Sequence, residues 1–242
     1  MKKGITIEVN LPVLNEERVL RNSVTTLVDF LKKNCPYKWN IVIIDNGSTD
    51  KTLEIAKQIS KEFKEVSFLR LEKRGRGRAL RTAWQNSDAD ICSYMDIDLS
   101  TDINDLMPLI NAIALEGYDI STGCRLMAGA KIKRSFKREL LSRGYVFLLK
   151  MVLGIKFRDA QCGFKAVNRM IINEVLPAVL DQEWFFDSEL LFKSQKYGYK
   201  IKEIPVGWVE DPDSRVRLYK TTKNYLLSIL RLRFEFWANT TR

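Results

Sequence analysis

Histidine is wholly absent from this chain of 242 residues. That absence excludes Ser-His-Asp and Cys-His catalysis, His-ligated zinc and an imidazole general base. Cysteine is scarce: Cys35, Cys92, Cys124 and Cys162 lie far apart with no Cys-x-x-Cys pair. This leaves no zinc knuckle and no dithiol redox motif, and predicts reduced, mostly buried thiols. Long apolar runs are lacking too. No stretch of about 18 apolar residues exists, so no segment is expected to span a bilayer. The apolar start at residues 5–11 is too short, and too soon interrupted by Pro12, for a signal peptide, so a cytoplasmic location is the default expectation.

Acidic residues are in deficit. Lys and Arg number 40 against 30 Asp and Glu, a formal net charge of +10, which favours an anionic partner: a nucleotide diphosphate, a nucleic acid or an acidic membrane surface. The 45% of hydrophobic residues is ample for the core of one large α/β domain, with or without an appendage.

Strand-like and helix-like segments alternate. Residues 5–9 and 39–44 read as strands, and residues 16–33 carry Val19, Leu20, Val24, Leu27, Val28 and Leu31 at helical spacing. The turn Asp45-Asn46-Gly47-Ser48-Thr49-Asp50 precedes a helix predicted over 51–63, with Thr49 or Asp50 as its cap. A strand over 66–71 leads through Arg74-Gly75-Arg76-Gly77-Arg78 into a helix over 79–86. The apolar run 91–95 is a buried strand, followed by a helix near 103–115 and a strand over 118–122. Such alternation predicts parallel pairing through right-handed helical crossovers, hence an α/β fold with an open, mostly parallel sheet flanked by helices. Ligands bind such sheets beyond the carboxyl ends of the strands, where three loops, residues 12–17, 45–50 and 96–102, converge.

Asp96-Ile97-Asp98 closes the run 91–95, so two carboxylates surface where the sheet core meets solvent. Alternation along a strand points both the same way, with α-carbons roughly 6.5 Å apart at about 3.3 Å per residue. A divalent cation suits that edge, because Mg2+ or Mn2+ takes oxygen ligands from one or two carboxylates plus substrate phosphates. Asp-x-Asp also occurs by chance on solvated turns, but three acidic loops at one sheet edge are harder to dismiss. The Arg74-Gly75-Arg76-Gly77-Arg78 segment follows the third strand and lacks full Gly-x-Gly-x-x-Gly spacing, so it is no dinucleotide fingerprint. It is either a solvated basic loop or a phosphate contact through Arg74 and Arg78.

The segments Leu11-Pro12-Val13-Leu14-Asn15-Glu16, Val42-Ile43-Ile44-Asp45-Asn46-Gly47-Ser48-Thr49-Asp50, Arg74-Gly75-Arg76-Gly77 and Met95-Asp96-Ile97-Asp98 resemble, in that order, the family 2 inverting glycosyltransferases of GT-A fold. Further along, Gly123-Cys124-Arg125, Arg158-Asp159-Ala160-Gln161-Cys162-Gly163-Phe164-Lys165 and Trp184-Phe185-Phe186-Asp187-Ser188-Glu189-Leu190-Leu191 are similar to the dolichyl-phosphate glucosyltransferase branch, with the dolichyl-phosphate mannose synthases next. The likeness covers roughly residues 5–217. The chain departs from the usual pattern at Asn46, Arg76 and Cys124, where Asp, Lys and Ser are common.

The resemblance implies roles. Asp45 would accept a hydrogen bond from the nucleobase imide, while Pro12, Asn15 and Glu16 shape the nucleoside pocket. Asp96 would sit near the ribose or the metal, and Asp98 would ligate the Mg2+ or Mn2+ that bridges the donor phosphates and stabilises the leaving nucleotide. Arg125, Arg138 and Ser142 are candidates for pyrophosphate or acceptor-phosphate contacts, with surface charge as the alternative for Arg138. Asp159 and Gln161 would line the acceptor side, and Asp187 or Glu189 would hold a sugar hydroxyl; each is alternatively a helix or turn support. Arg215 and Arg217, after the acidic loop at residues 210–213, would close over a phosphate.

Inversion onto an alcohol needs a base, and this chain has no histidine to serve as one. A phosphate acceptor removes the need, since a phosphomonoester with a second pKa of about 6 is already dianionic at neutral pH. Residues 131–156 are too apolar all round for an ordinary surface helix. The segment 219–237 mixes Tyr225, Leu226, Leu227, Ile229, Leu230, Leu232, Phe234 and Phe236 with Lys and Arg, the composition of an interfacial helix, a docked core helix or an oligomer contact. The expected organisation is one GT-A catalytic domain over 1–218, with a nucleotide-sugar half at 1–125 and an acceptor half at 126–218, followed by a basic amphipathic tail at 219–242. The expected activity is metal-dependent transfer of glucose from UDP-glucose to dolichyl or another polyprenyl phosphate, peripheral on the cytoplasmic face of a membrane. A GDP-mannose-dependent transferase is the nearest alternative. A basic nucleic-acid-binding module is the alternative of a different class, and the acidic strand ends argue against it, so no nucleic-acid partner is expected.

Overall fold

The structure, a computed structural model, describes residues 4–209 and 218–240. Its strands are β1 (Thr6–Val13), β2 (Lys38–Asp45), β3 (Val66–Arg70), β4 (Ile91–Met95), β5 (Ile120–Cys124), β6 (Lys131–Lys133), β7 (Phe164–Asn168), β8 (Ile201–Pro205) and β9 (Gly207–Val209). Its helices are α1 (Leu20–Asn34), α2 (Thr52–Glu62), α3 (Arg76–Asn86), α4 (Leu106–Ala114), α5 (Phe136–Leu153), α6 (Phe186–Lys196) and α7 (Leu218–Thr240). Seven strands form one sheet in the order β3-β2-β1-β4-β7-β5-β8, and β6 pairs with β9 apart from it.

The β1 strand lies between β2 and β4, parallel to both, and five of its residues in a row are buried, as a central strand covered on both faces requires. One face carries Ile7, Val9, Leu11 and Val13 against α1, α2 and α4, while Trp84 of α3, α6 and parts of α5 and α7 build the core on the other. The α1 helix presents Leu20, Val24, Leu27, Val28 and Leu31 inward at the 3–4 residue spacing of one apolar stripe. It begins at Leu20 rather than Glu16, because Asn15 has φ 56° and the next residues form a turn in which the Val19 and Leu20 N–H groups both donate to Glu16 O.

The sheet is mostly parallel, as expected, with one exception that the residue pattern did not announce: β7 is antiparallel to both β4 and β5 and separates them. Its Phe164-Lys165-Ala166-Val167 run is entirely buried, and the motif at residues 158–165 overlaps only its first two residues. The expected cap of α2 is present in part, since Asp50 Oδ1 accepts the Thr52 N–H at 3.0 Å. Cys92, Cys124 and Cys162 are buried free thiols, as expected, and burial pushes each up to about 12.

Residues 186–194 of α6 are buried without interruption. The α7 helix helps to cover it, contributing Ile229 and Leu232 to the core and the Phe236 ring edge-on to Phe192 at 5.0 Å. Burying each of those two aliphatic side chains contributes about 1.5–3 kcal/mol. The segment that the sequence left open between membrane helix and docked helix is therefore docked along one face. Its other face exposes Leu227, Leu230 and Phe234.

Candidate functional site

The order β3-β2-β1-β4 reverses direction at β1, and the loops after β1, β2 and β4 meet at that switch point, where open sheets leave a crevice. The first two loops are stitched together. Asn15 N donates to Ser48 Oγ at 2.9 Å, Thr49 N to Asn15 Oδ1 at 2.8 Å, and Glu16 N to Thr52 Oγ1 at 2.8 Å. Asn46 Oδ1 accepts the Gly75 N–H at 2.9 Å, which ties the second loop to the basic segment before α3.

A cavity of about 1300 Å³ opens over these loops. Pro12, Asn15, Glu16, Asn46, Arg74 and Gly75 form one part of its wall, and Arg76, Asp96, Asp98, Arg125, Arg138, Ser142, Gln161 and Asp187 a second. Apolar side chains of α5 and α7, among them Leu140, Leu141, Leu148, Leu226 and Ile229, form a third, with Tyr145 and Tyr225 between them. The sequence reading thus selected residues that the fold brings together.

Four of its candidates are placed otherwise. Asp45 is fully buried: Oδ1 accepts the Ser48 N–H at 3.0 Å and Oδ2 pairs with Arg70 at 2.8 Å, so its carboxylate is already engaged and does not line the cavity. Arg78 folds back onto the Arg74 carbonyl. Asp159, also buried, is gripped by Arg125 through Nε at 2.8 Å and Nη2 at 3.0 Å, and by the Arg125 N–H at 3.0 Å. Burial pushes the Asp159 carboxyl up, but Arg125's charge and hydrogen bonds outweigh this and hold it below the usual range. Its role in the geometry is to aim Arg125, whose guanidinium also lies 5.4 Å from the centre of the Trp208 ring.

Glu189 requires the plainest correction. Its side chain is fully buried and salt-bridged to Arg231 of α7, with Oε1 3.0 Å and Oε2 2.7 Å from the two guanidinium nitrogens, while Lys193 lies 3.4 Å away. It also accepts the Leu180 and Asp181 N–H groups. Burial raises its pKa, yet Arg231 and those backbone donors bring it below the ordinary value. A carboxylate so occupied holds α7 and the 180–181 turn, not a sugar. Arg215 and Arg217 lie outside the described residues.

Several cavity residues escaped the sequence reading. Arg76 pairs with Asp96 Oδ1 at 2.6 Å, and Trp184, Tyr225 and Trp208 line the wall. Asp187 is backed by the fully buried Lys165 at 3.1 Å and by the Tyr94 hydroxyl. Burial, then the Asp187 charge, pushes the Tyr94 phenol well above its usual range. The detectable signal was Lys165 itself, a lone cation inside the apolar strand β7.

Asp96 and Asp98 both line the cavity, but from the turn that follows β4 rather than from the strand. Leu99 at φ 53° turns the chain there, and Asp98 Oδ1 accepts the Ser100 N–H at 2.9 Å. Among the described residues no group of three or more acidic, Cys or His side chains is assembled for a metal ion. Two carboxylates are a fitting donor set for Mg2+ or Mn2+ only when phosphate oxygens and water complete the shell.

The family model described as glycosyl transferase family 2 matches residues 9–176. The chain is 33% identical over 241 residues to glycosyltransferase AglD of Haloferax volcanii, covering 99% of this chain and 38% of that protein's length. It is 31% identical over 236 residues to dolichyl-phosphate beta-glucosyltransferase of Saccharomyces cerevisiae, covering 88% of this chain and 70% of the yeast protein. Among solved structures, glucosyl-3-phosphoglycerate synthase from Mycobacterium tuberculosis in complex with UDP matches with a TM-score of 0.69 at 22% identity, over 95% of this chain and 80% of that one. A mannosyltransferase from Pyrobaculum calidifontis in complex with GDP-Man and Mn2+ gives a TM-score of 0.61 at 16% identity, over 96% and 64%. At those identities the structural likeness speaks to the fold, which is that of the GT-A enzymes.

Proposed function

We infer, from the premise that this chain belongs to glycosyl transferase family 2 and is a glycosyltransferase, that it moves glucose from UDP-glucose to dolichyl or another polyprenyl phosphate. The work would be done with Mg2+ or Mn2+ at the cytoplasmic face of a membrane. The observation that carries this reading is the composition of the cavity, in which acidic and guanidinium groups share one space with an apolar wall from α5 and α7. A lipid phosphate has that same division. The name of the yeast relative supports both the sugar and the acceptor.

In this reading Pro12, Asn15 and Glu16 cradle the nucleoside, and Asp96 and Asp98 are the residues that would hold the divalent ion. The ion would offset the negative charge that grows on the departing UDP. Arg125, aimed by Asp159, and Arg138 bind phosphate through their guanidinium forks. The acceptor's phosphate oxygen attacks the anomeric carbon in line; the new C–O bond forms as the bond to UDP breaks, and no protein base is consumed because the acceptor enters as a dianion. Asp187, held by Lys165, faces the cavity and orients a sugar hydroxyl. Positioning and electrostatics supply most of the rate.

The outer faces of the same two helices support a place at a membrane surface. Phe136, Phe147 and Met151 on α5 and Leu227, Leu230 and Phe234 on α7 are all exposed, and large apolar side chains grouped on exposed helix faces mark interaction surfaces. Exposed Arg143, Lys150 and Arg233 stand on those helices, complementary to anionic headgroups. Among the described residues no helix is long and apolar enough to cross a bilayer, so contact at the surface fits these residues better than a span.

The test is to offer labelled nucleotide sugars one at a time, with a polyprenyl phosphate and Mn2+ or Mg2+. Glucose from UDP-glucose should enter the lipid fraction. Transfer from GDP-mannose alone would overturn the sugar assignment, and no transfer to lipid phosphate from any donor would overturn the acceptor.

A further inference from the structure

We propose that Arg76 is a built-in counter-ion that occupies Asp96 until a nucleotide diphosphate arrives, so that the divalent cation enters the site together with the nucleotide and not before it. The proposal rests on the donor reading above.

Arg76 is the first residue of α3, a place where the helix dipole disfavours a cation. It is also poorly hydrated, its side chain only 13% exposed. A residue so placed needs a compensating partner, and its partner is Asp96, the metal ligand of the donor reading, at 2.6 Å. The guanidinium lies over two rings, 5.3 Å from the centre of Tyr94 and 5.1 Å from that of Trp184, which fixes its plane. Glycine clears the space around the pair. A Cβ at Gly163 would run into Asp96 Oδ2 and lie 2.7 Å from Arg76 Nη2.

The consequence is electrostatic. With Arg76 in place the acidic pair presents about one net negative charge rather than two, and one oxygen of Asp96 is already committed. A hard dication finds too few ligands in that setting, since it needs phosphate oxygens beside one or two carboxylates. A diphosphate supplies the missing oxygens and offers the guanidinium a second anionic partner, which releases Asp96 to the cation.

The test uses the full chain and Mn2+ titrations followed by electron paramagnetic resonance, with and without UDP. Wild type should bind Mn2+ weakly alone and markedly better with UDP. Arg76→Gln should bind Mn2+ without nucleotide about tenfold tighter or more, the scale on which groups bonded to a metal ligand alter affinity, and Arg76→Lys should preserve the wild-type order. The wild-type titrations with and without UDP are read on the unaltered chain, so they test the proposal even where Arg76→Gln does not fold. Tight nucleotide-free binding by wild type, or an unchanged value in folded Arg76→Gln, would each overturn the proposal and leave the donor reading standing. Failure of wild type to bind Mn2+ even with UDP would overturn both.

Discussion

Replacing Glu189 by Ala separates two accounts of one carboxylate. If it held a sugar hydroxyl, the variant would fold normally and lose donor affinity. The structure gives it other work: a two-pronged pair to Arg231, a second cation at Lys193, and two backbone N–H groups of the 180–181 turn. Removing one partner of a buried pair costs about 3–5 kcal/mol. Arg231 is a third exposed and Lys193 keeps Glu235 at 2.7 Å, so the lower end applies, with the Leu180 and Asp181 N–H groups losing their acceptor as well. At roughly 2–4 °C per kcal/mol for a chain of this size, about 3 kcal/mol becomes a drop of about 6–12 °C in Tm. Thermal melts followed by circular dichroism measure it, alongside UDP affinity at a temperature where the variant is folded. An unchanged Tm with a large loss of sugar-nucleotide affinity would refute the assignment.

Asp159→Asn should change the acid limb of stability. A carboxyl held below its usual range contributes stability that is fully present above about pH 4 and is lost as pH falls through the folded value. Urea midpoints measured from pH 7 to pH 3 should therefore converge for wild type and variant as the pH falls, and curves that stay parallel would contradict the Arg125 pairing. Gly75→Ala should cost more than about 1 kcal/mol, the penalty when Ala replaces a glycine at positive φ, because Gly75 has φ +148° and a Cβ there would strike the Gln182 carbonyl; a neutral urea midpoint would contradict it. Phe147→Glu combined with Met151→Glu alters two exposed positions and should cost about 0.5 kcal/mol or less for each. That double variant should also sediment far less with anionic vesicles, and undiminished co-sedimentation would remove α5 from the membrane contact.

The residues of the nucleotide half announced themselves because local chemistry governs them. Asp45-Asn46-Gly47-Ser48 is composed of residues that favour turns, and the apolar run 91–95 ends where the acidic pair begins. The antiparallel β7 was not legible in that way, because four buried residues in a row carry no mark of direction, and pairing between β4 and β5 is decided by distant chain. The same limit explains Glu189 and Asp159. A carboxylate's role depends on which cation the fold delivers to it, and Arg231 arrives from 42 residues away. The tail showed its apolar character in the sequence but not its orientation: Ile229 and Leu232 turn inward and Leu230 outward, a choice made by the hole above α6. Arg76 was visible as a residue and invisible as half of a pair.

Initial rates of glucose transfer from UDP-glucose to a polyprenyl phosphate with Mn2+, compared between wild type and Asp98→Ala, test the central claim most directly. Loss of the cation's grip on the departing diphosphate should cost several kcal/mol of barrier, a fall of about a thousandfold or more, with the Tm little changed because Asp98 is exposed. Full activity in a folded Asp98→Ala protein would contradict the account.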